Sequence, residues 1–234
     1  MTSPTIFIAP LSQWLTLEET LTTVLNRGYN KPRVKYGVLL TPRIKYGIVK
    51  DFDLKAVDDA QFAICLAPQS SDIVKVDSAD DSTATTSKII RSFPLGSLDL
   101  SNIDTSESLE TVFKAFEDGT LQSRILGTIC VKKFRDLESE LEITGLTSFY
   151  PGLSPKLMDF MEVYSKNKLK TKTLWVDAIE EHDLLPYYEK LGFLFVSRVT
   201  CKIDPETRLV KGSTLEDGIL AAKDFHVILM KKDI

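Results

Sequence analysis

Hydrophobic positions along the 234 residues recur with two periods, and the changes between them divide the chain into elements. "TIFIAP" reads as a short strand. In "LTLEETLTTVLNRGYN", Leu15, Leu17, Leu21 and Leu25 share one helical face, and Gly28 is the expected stop. "DAQFAICLAP" is a strand. "DTSESLETVFKAFEDG" opens like a capping box and meets Gly119 after its last turn, which predicts a helix. "SRILGTICVKK" and "SELEITGLTSF" are strand-like, the second with partial alternation. In "SPKLMDFMEVYSKNK", Leu157, Phe160, Met161 and Tyr164 make an apolar stripe, with Ser154 as the cap and Pro155 at the first helical position. "KTLWVDAI" reads as a strand buried on both faces. "HDLLPYYEKLG" is a short helix ending at Gly192, "FLFVSRVTCKI" a strand, "DPETRLVKGSTLEDGILAAKD" a polar connection and "FHVILMKK" a closing strand. This order predicts an α/β (α+β) chain: a mixed sheet with helices packed on it, and a ligand where neighbouring strands diverge.

Two stretches do not fit a simple period. "PRVKYGV" (Pro32 to Val38) and "PRIKYGI" (Pro42 to Ile48) are near-duplicates ten residues apart. They read as two related turns or short strands with exposed Lys and buried Tyr, or as a tyrosine-bearing lip over a pocket. Gln69 to Lys88 is rich in Ser, Thr and Asp and reads as a polar excursion from the fold.

Composition narrows the chemistry. The length fits one large domain or two small ones. The net charge of -4 gives no reason to expect a nucleic-acid partner, because phosphate contacts need clustered Lys and Arg. No apolar run is long enough to span a membrane, and "MTSPTIFIAPLSQW" lacks the layout of a secretory signal. The expected compartment is therefore the cytoplasm, or the nucleus by diffusion. Cys65, Cys130 and Cys201 are odd in number and widely spaced, which predicts buried thiols rather than disulfides or zinc ligands. His182 and His226 form no metal motif.

The segment "KTLWVDAIEEHDLLPYYEKLGFLFVSRV", with "YYEKLGF" at its centre, resembles the last third of the GCN5-related N-acetyltransferase (GNAT) superfamily. "ELEITGLTSFYPGLSPKLMDFM" falls where that family places its cofactor strand, pyrophosphate loop and following helix, and "HVILMKK" resembles its terminal strand. The resemblance implies a single domain over 1–234 with a polar insertion at about 69–105. It also implies a mainly antiparallel central sheet with two splayed parallel strands, and acetyl-CoA as co-substrate. The acceptor it implies is a primary amine, on a small molecule or on a protein, held by Leu15 to Tyr46 and Asp204 to Asp224.

Residue by residue, the resemblance implies Tyr188 as proton donor to the departing thiolate. Its neighbour Tyr187 is expected to be structural. Glu140 or Glu142 would be the general base that frees the amine. Thr144, Gly145 and Leu146 would offer backbone groups to the pantetheine arm. The family's loop, Gln/Arg-x-x-Gly-x-Gly/Ala, falls on Pro151 to Lys156, so Gly152, Leu153, Ser154 and Lys156 would hold the pyrophosphate while Pro155 has no N–H to give. Glu181 stands where the family often has a cofactor-contacting Asn. These departures leave a second expectation open: a GNAT-fold binding or regulatory protein with weakened catalysis. The residues also have plain roles. Pro-Gly followed by Ser-Pro is ordinary turn and helix-start chemistry, Tyr188 could be a packing aromatic, and Glu140 and Glu142 could be solvated charges.

Overall fold

The computed structural model describes residues 3–68, 98–135, 137–211, 215 and 217–234. Among the described residues, nine strands form one mixed sheet: β1 (Thr5–Pro10), β2 (Gln61–Leu66), β3 (Asp104–Ser106), β4 (Ile125–Lys133), β5 (Glu140–Ser148), β6 (Thr173–Ile179), β7 (Leu194–Ile203), β8 (Val210–Lys211) and β9 (Phe225–Asp233). Their spatial order is β3-β1-β2-β4-β5-β6-β9-β7-β8. Among these described strands, only the β1–β3 and β5–β6 pairs are parallel. The β5–β6 connection is the crossover helix α5 (Leu153–Asn167), of the kind parallel strands require.

The helices are α1 (Glu18–Tyr36), α2 (Ile48–Asp51), α3 (Glu110–Glu117), α4 (Leu121–Arg124), α5 (Leu153–Asn167) and α6 (Leu185–Lys190). α5 and α6 cover one face, where Leu157, Met161, Tyr188 and Phe193 join Ile143, Val176 and Ile228 in one core. α1 and the 3-10 turn Leu11–Leu17 cover the other, with Trp14, Leu21, Val24 and Leu25 against Phe7, Phe62 and Ile64. Each such side chain contributes roughly 1.5–3 kcal/mol by leaving water. Cys65, Cys130 and Cys201 are free and buried.

Several elements differ from the sequence reading, each for a local reason. α1 does not stop at Gly28 but runs on to Tyr36 and ends at Gly37, whose φ of +62 is the left-handed helix stop. Gly28 serves close packing instead: a Cβ there would lie 2.4 Å from Thr147 Cγ2, so α1 rests directly on β5. Pro32 sits inside α1 and deprives the Gly28 carbonyl of its usual helical donor. The first near-duplicate is thus the end of α1 and the second a loop before α2; Tyr36 is half-buried and Tyr46 is 54% exposed, not buried. Asp104–Ser106 is a strand beside β1, so α3 starts only at Glu110 and the capping box does not form. α5 starts at Leu153 with Gly152 as its cap, not Ser154. β6 is not buried on both faces: Leu174, Val176 and Ala178 are buried, while Thr173, Trp175, Asp177 and Ile179 are half-buried. The insertion expected at about 69–105 lies outside the described residues up to 97. From 98 onward the chain packs on the core, with Leu98 buried and Leu100 and Ile103 against it.

The site is positioned by a defect between β4 and β5. Cys130 pairs with Thr144 and Thr128 with Thr147, so Gly145 and Leu146 together face Ile129 alone. Gly145 has φ +59, the left-handed conformation of a glycine bulge. The bulge bends β5. Parallel pairing with β6 covers only Glu140–Ile143 against Thr173–Val176, and beyond it the strands separate. β5 from Thr144 stays on β4, and β6 from Asp177 stays on β9.

Candidate functional site

A cavity of about 720 Å³ lies at this divergence. Thr144, Leu146, Thr147 and Ser148 line it from β5, and Val176, Asp177, Ala178 and Ile179 from β6. α6 contributes Tyr187 and Tyr188, and α1 contributes Gly28, Tyr29, Lys31 and Arg33.

Glu142 lines the cavity, half-buried, with Lys132 Nζ 3.4 Å from its carboxylate. Lys132 also donates to the Phe52 carbonyl at 2.8 Å, which fixes the ammonium in place. Burial pushes the Glu142 carboxyl above the ordinary carboxylate value, against Lys132, and nearby Asp177 pushes it the same way. Burial raises Asp177 as well, opposed by Arg135 and Lys132. The two splayed strands thus bring a pair of carboxyls to the cavity. Sequence reasoning missed Asp177 and Lys132. The available signal was a single carboxylate inside the apolar run "TLWVDAI". Glu140 does not share this setting: it accepts a hydrogen bond from Trp175 Nε1 at 2.5 Å and lies outside the cavity lining.

Tyr188 is buried at 6% exposure and lines the cavity. Its ring meets Phe193 and Tyr187 edge-on at centroid distances of 5.7 and 5.1 Å. Burial holds its phenol far above the ordinary value, so it keeps its proton. Tyr187, expected to be structural, also lines the cavity, and its hydroxyl pairs with that of Ser154. His182 is buried and lines the cavity, with its ring stacked on Tyr36 at 5.4 Å and its Nε2 without a hydrogen-bond partner. Burial lowers its pKa, so the ring is neutral at pH 7.

The other expected contacts are dispersed. Thr144 and Leu146 line the cavity but Gly145 does not; its carbonyl accepts from Thr128 Oγ1 at 2.6 Å. Of the loop residues, only Ser154 lines the cavity; Gly152, Leu153 and Lys156 lie outside it. The Leu153 N–H is used by the Tyr150 carbonyl at 3.2 Å. Leu100 Cδ1 lies 3.7 Å from where a Gly152 Cβ would be, so the loop is flanked by apolar chain. Lys31 Nζ reaches the same end of the cavity, donating to the Ser148 carbonyl at 2.6 Å. Glu181 faces elsewhere. It accepts from the His226 backbone N–H at 3.0 Å and lies 2.9 Å from His226 Nδ1. Burial would raise the Glu181 carboxyl, and the His226 contacts outweigh it to leave the pKa below the usual value. Among the described residues, no group of His, Cys, Asp and Glu is arranged to hold a metal ion, and no helix is long and apolar enough to cross a membrane.

Among solved structures, the chain is similar to the Campylobacter jejuni N-acetyltransferase PseH in complex with acetyl coenzyme A, at 18% identity and TM-score 0.30, over 47% of this chain and 61% of that one. It is also similar to a Bacillus subtilis acetyltransferase in complex with CoA (20%, TM-score 0.34, 47% and 70%) and to a GNAT family acetyltransferase from Elizabethkingia anophelis with acetyl-CoA bound (16%, TM-score 0.35, 48% and 71%). In sequence it is 29% identical over 219 residues to sporulation protein RMD6 of Saccharomyces cerevisiae, covering 92% of this chain and 87% of that protein. The family profile described as sporulation protein RMD6 matches residues 9–234, and the chain belongs to that family.

Proposed function

We propose that the protein binds acetyl-CoA in the gap between β5 and β6 and transfers the acetyl group to a primary amine. The observation that carries this is the parting of the two strands after Ile143 and Val176, over a cavity with Glu142 and Tyr188 both in its lining. The unpaired edge of β5 beyond Ile143 suits an amide-rich arm, which adds to a sheet edge as a strand does. Acetyl-CoA would supply the thioester. Glu142 takes a proton from the acceptor ammonium, which frees the nitrogen lone pair to form the new C–N bond. Tyr188 gives its proton to the sulfur as the C–S bond breaks. The desolvation that raises the phenol also disfavours a thiolate in the same cavity, so the two remain matched.

Glu142→Gln tests the base. Glu142 must be ionised to act, so its raised pKa predicts a rate that climbs with pH through a value above the ordinary ~4.3 of a glutamate. The variant should lose that limb and about 10²–10⁴-fold in rate. Stability has the opposite sign. A folded pKa above the unfolded one stabilises fully below the unfolded value and loses that contribution as pH rises through the folded value. Glu142→Gln should therefore melt higher than the parent at pH 8, the gap closing below about pH 4. A gap independent of pH would count against a desolvated carboxylate here.

A second reading, a GNAT-fold binding protein with weakened catalysis, is favoured by the α5 N-terminus. Of its first four N–H groups, Leu153 donates to Tyr150 and Pro155 has none, which leaves Ser154 and Lys156. Thermal melting with acetyl-CoA separates the readings. At about 100 times its Kd the ligand adds roughly 2.7 kcal/mol, and at about 2–4 °C per kcal/mol for this length the expected rise is roughly 5–10 °C. A rise with acetyl release favours the enzyme, a rise without it favours the binding protein, and no rise at millimolar acetyl-CoA removes both.

A further inference from the structure

Residues 27–55 hold eight Lys and Arg against Asp51 and Asp53, in a chain whose net charge is -4. The fold wraps this stretch around the cavity. Lys31, Arg33, Arg43 and Lys55 line it, while Lys35 and Lys50 stand exposed on the same segment. Neutral groups hold several of these cations. Lys31 donates to the Ser148 carbonyl, Arg33 to the Leu40 carbonyl and the Asn30 side chain, and Lys50 lies over the Tyr46 ring at 4.2 Å. None of these three forms an ion pair with a carboxylate among the described residues. Val34, Leu40 and Tyr46, at 61%, 47% and 54% exposure, stand between the cations as apolar anchors.

Within the cavity the sign reverses at Glu142 and Asp177. Both carboxyls line the cavity, and desolvation dominates at each although Lys132 and Arg43 oppose it at Glu142 and Arg135 and Lys132 at Asp177, so this pair has room for one more positive charge. A cationic lip around a carboxyl-bearing cavity calls for a ligand with both signs. We propose that the acceptor is an acidic polypeptide, its amine at Glu142 and Asp177 and its Asp or Glu side chains against the 27–55 lip. The acetyl transfer in this statement rests on the reading above; the docking does not. A nucleic acid fits less well, because it brings no cation for the carboxyl pair and because the chain outside 27–55 is acidic overall.

The test is fluorescence anisotropy with the full chain and no acetyl-CoA. The probe is a ten-residue peptide of alternating Glu and Ser with a free N-terminal amine, carrying fluorescein on an added C-terminal lysine side chain. It should bind saturably and weaken with salt. N-acetylation of the peptide should weaken it several-fold. The Lys35→Glu, Lys50→Glu double variant should weaken it about tenfold or more. Both lysines are exposed, so the variant should melt with the parent. Three outcomes would overturn the proposal: no saturation at millimolar peptide, an affinity indifferent to the double variant, or tighter binding of a labelled ten-nucleotide RNA. Peptide binding without any acetyl-CoA melting shift would remove the transferase reading and leave the docking surface standing.

Discussion

Replacing Tyr188 by phenylalanine is expected to slow acetyl transfer about 10²–10⁴-fold, the usual value of a positioned proton donor, and to leave acetyl-CoA affinity within a few-fold. The substitution keeps the ring. Its edge-on packing on Phe193 and Tyr187 persists, so the variant should fold and melt close to the parent. What is lost is one proton, held by a phenol that burial keeps neutral. That raised pKa has a further consequence: the parent rate should not fall on the alkaline side near the ordinary phenol value of ~10. The measurement is single-turnover release of free thiol from acetyl-CoA, with affinity read separately by calorimetry. A variant that loses affinity and rate in equal proportion would make Tyr188 a packing residue. A variant with the parent's rate would move the proton donor elsewhere, with Tyr187 next in the cavity lining.

The parts of this molecule that depend on local periodicity were legible in the sequence. Every described strand longer than three residues lies under a run of apolar or alternating residues, whereas Tyr188 was pointed to by the resemblance of "YYEKLGF", and the structure places it in the cavity lining. Parts that depend on which strands meet were not. Glu140 and Glu142 are equivalent by alternation on one strand, and only the register with β6 separates them: Glu140 reaches the Trp175 indole, and Glu142 reaches the cavity near Asp177. Asp177 was hidden because a parallel neighbour some thirty residues away leaves no periodic trace.

Glycine and proline misled for a related reason. They report local backbone freedom, while their use here is set by tertiary packing. Gly28 looked like a helix stop, yet the helix runs through it, and the missing Cβ leaves the space that Thr147 occupies. Ser154 looked like a cap, yet its hydroxyl is drawn to Tyr187 on a different helix. The basic character of 27–55 was diluted in the whole-chain charge and becomes a surface feature only once the fold gathers it at one cavity.

Gly145→Val should be the most disruptive single change at the site. A non-glycine residue in the left-handed conformation costs roughly 1–2 kcal/mol, and a β-branched one is placed there least readily. The new Cβ would stand 3.1 Å from Phe52 Cζ and 3.4 Å from Cys130 Cβ, with two further methyls to fit, and such overpacking costs about 1–3 kcal/mol. At about 2–4 °C per kcal/mol, a loss of roughly 2–5 kcal/mol lowers the melting temperature by roughly 4–20 °C. The chain has one local escape, which is to flatten the bulge. A flat β5 would extend its pairing along β6 past Ile143 and close the gap, so the acetyl-CoA melting shift should vanish even at temperatures where the variant is folded. Gly145→Ala separates the two costs, since its one methyl is tight only against Phe52, at 3.1 Å, and in ordinary contact with Cys130. Adding Phe52→Leu should restore the packing part of the loss and none of the backbone part, as read by a double-mutant cycle of melting free energies. If Gly145→Val melts within about 2 °C of the parent and still responds to acetyl-CoA, the bulge has no need of glycine and the parting of β5 from β6 has another cause.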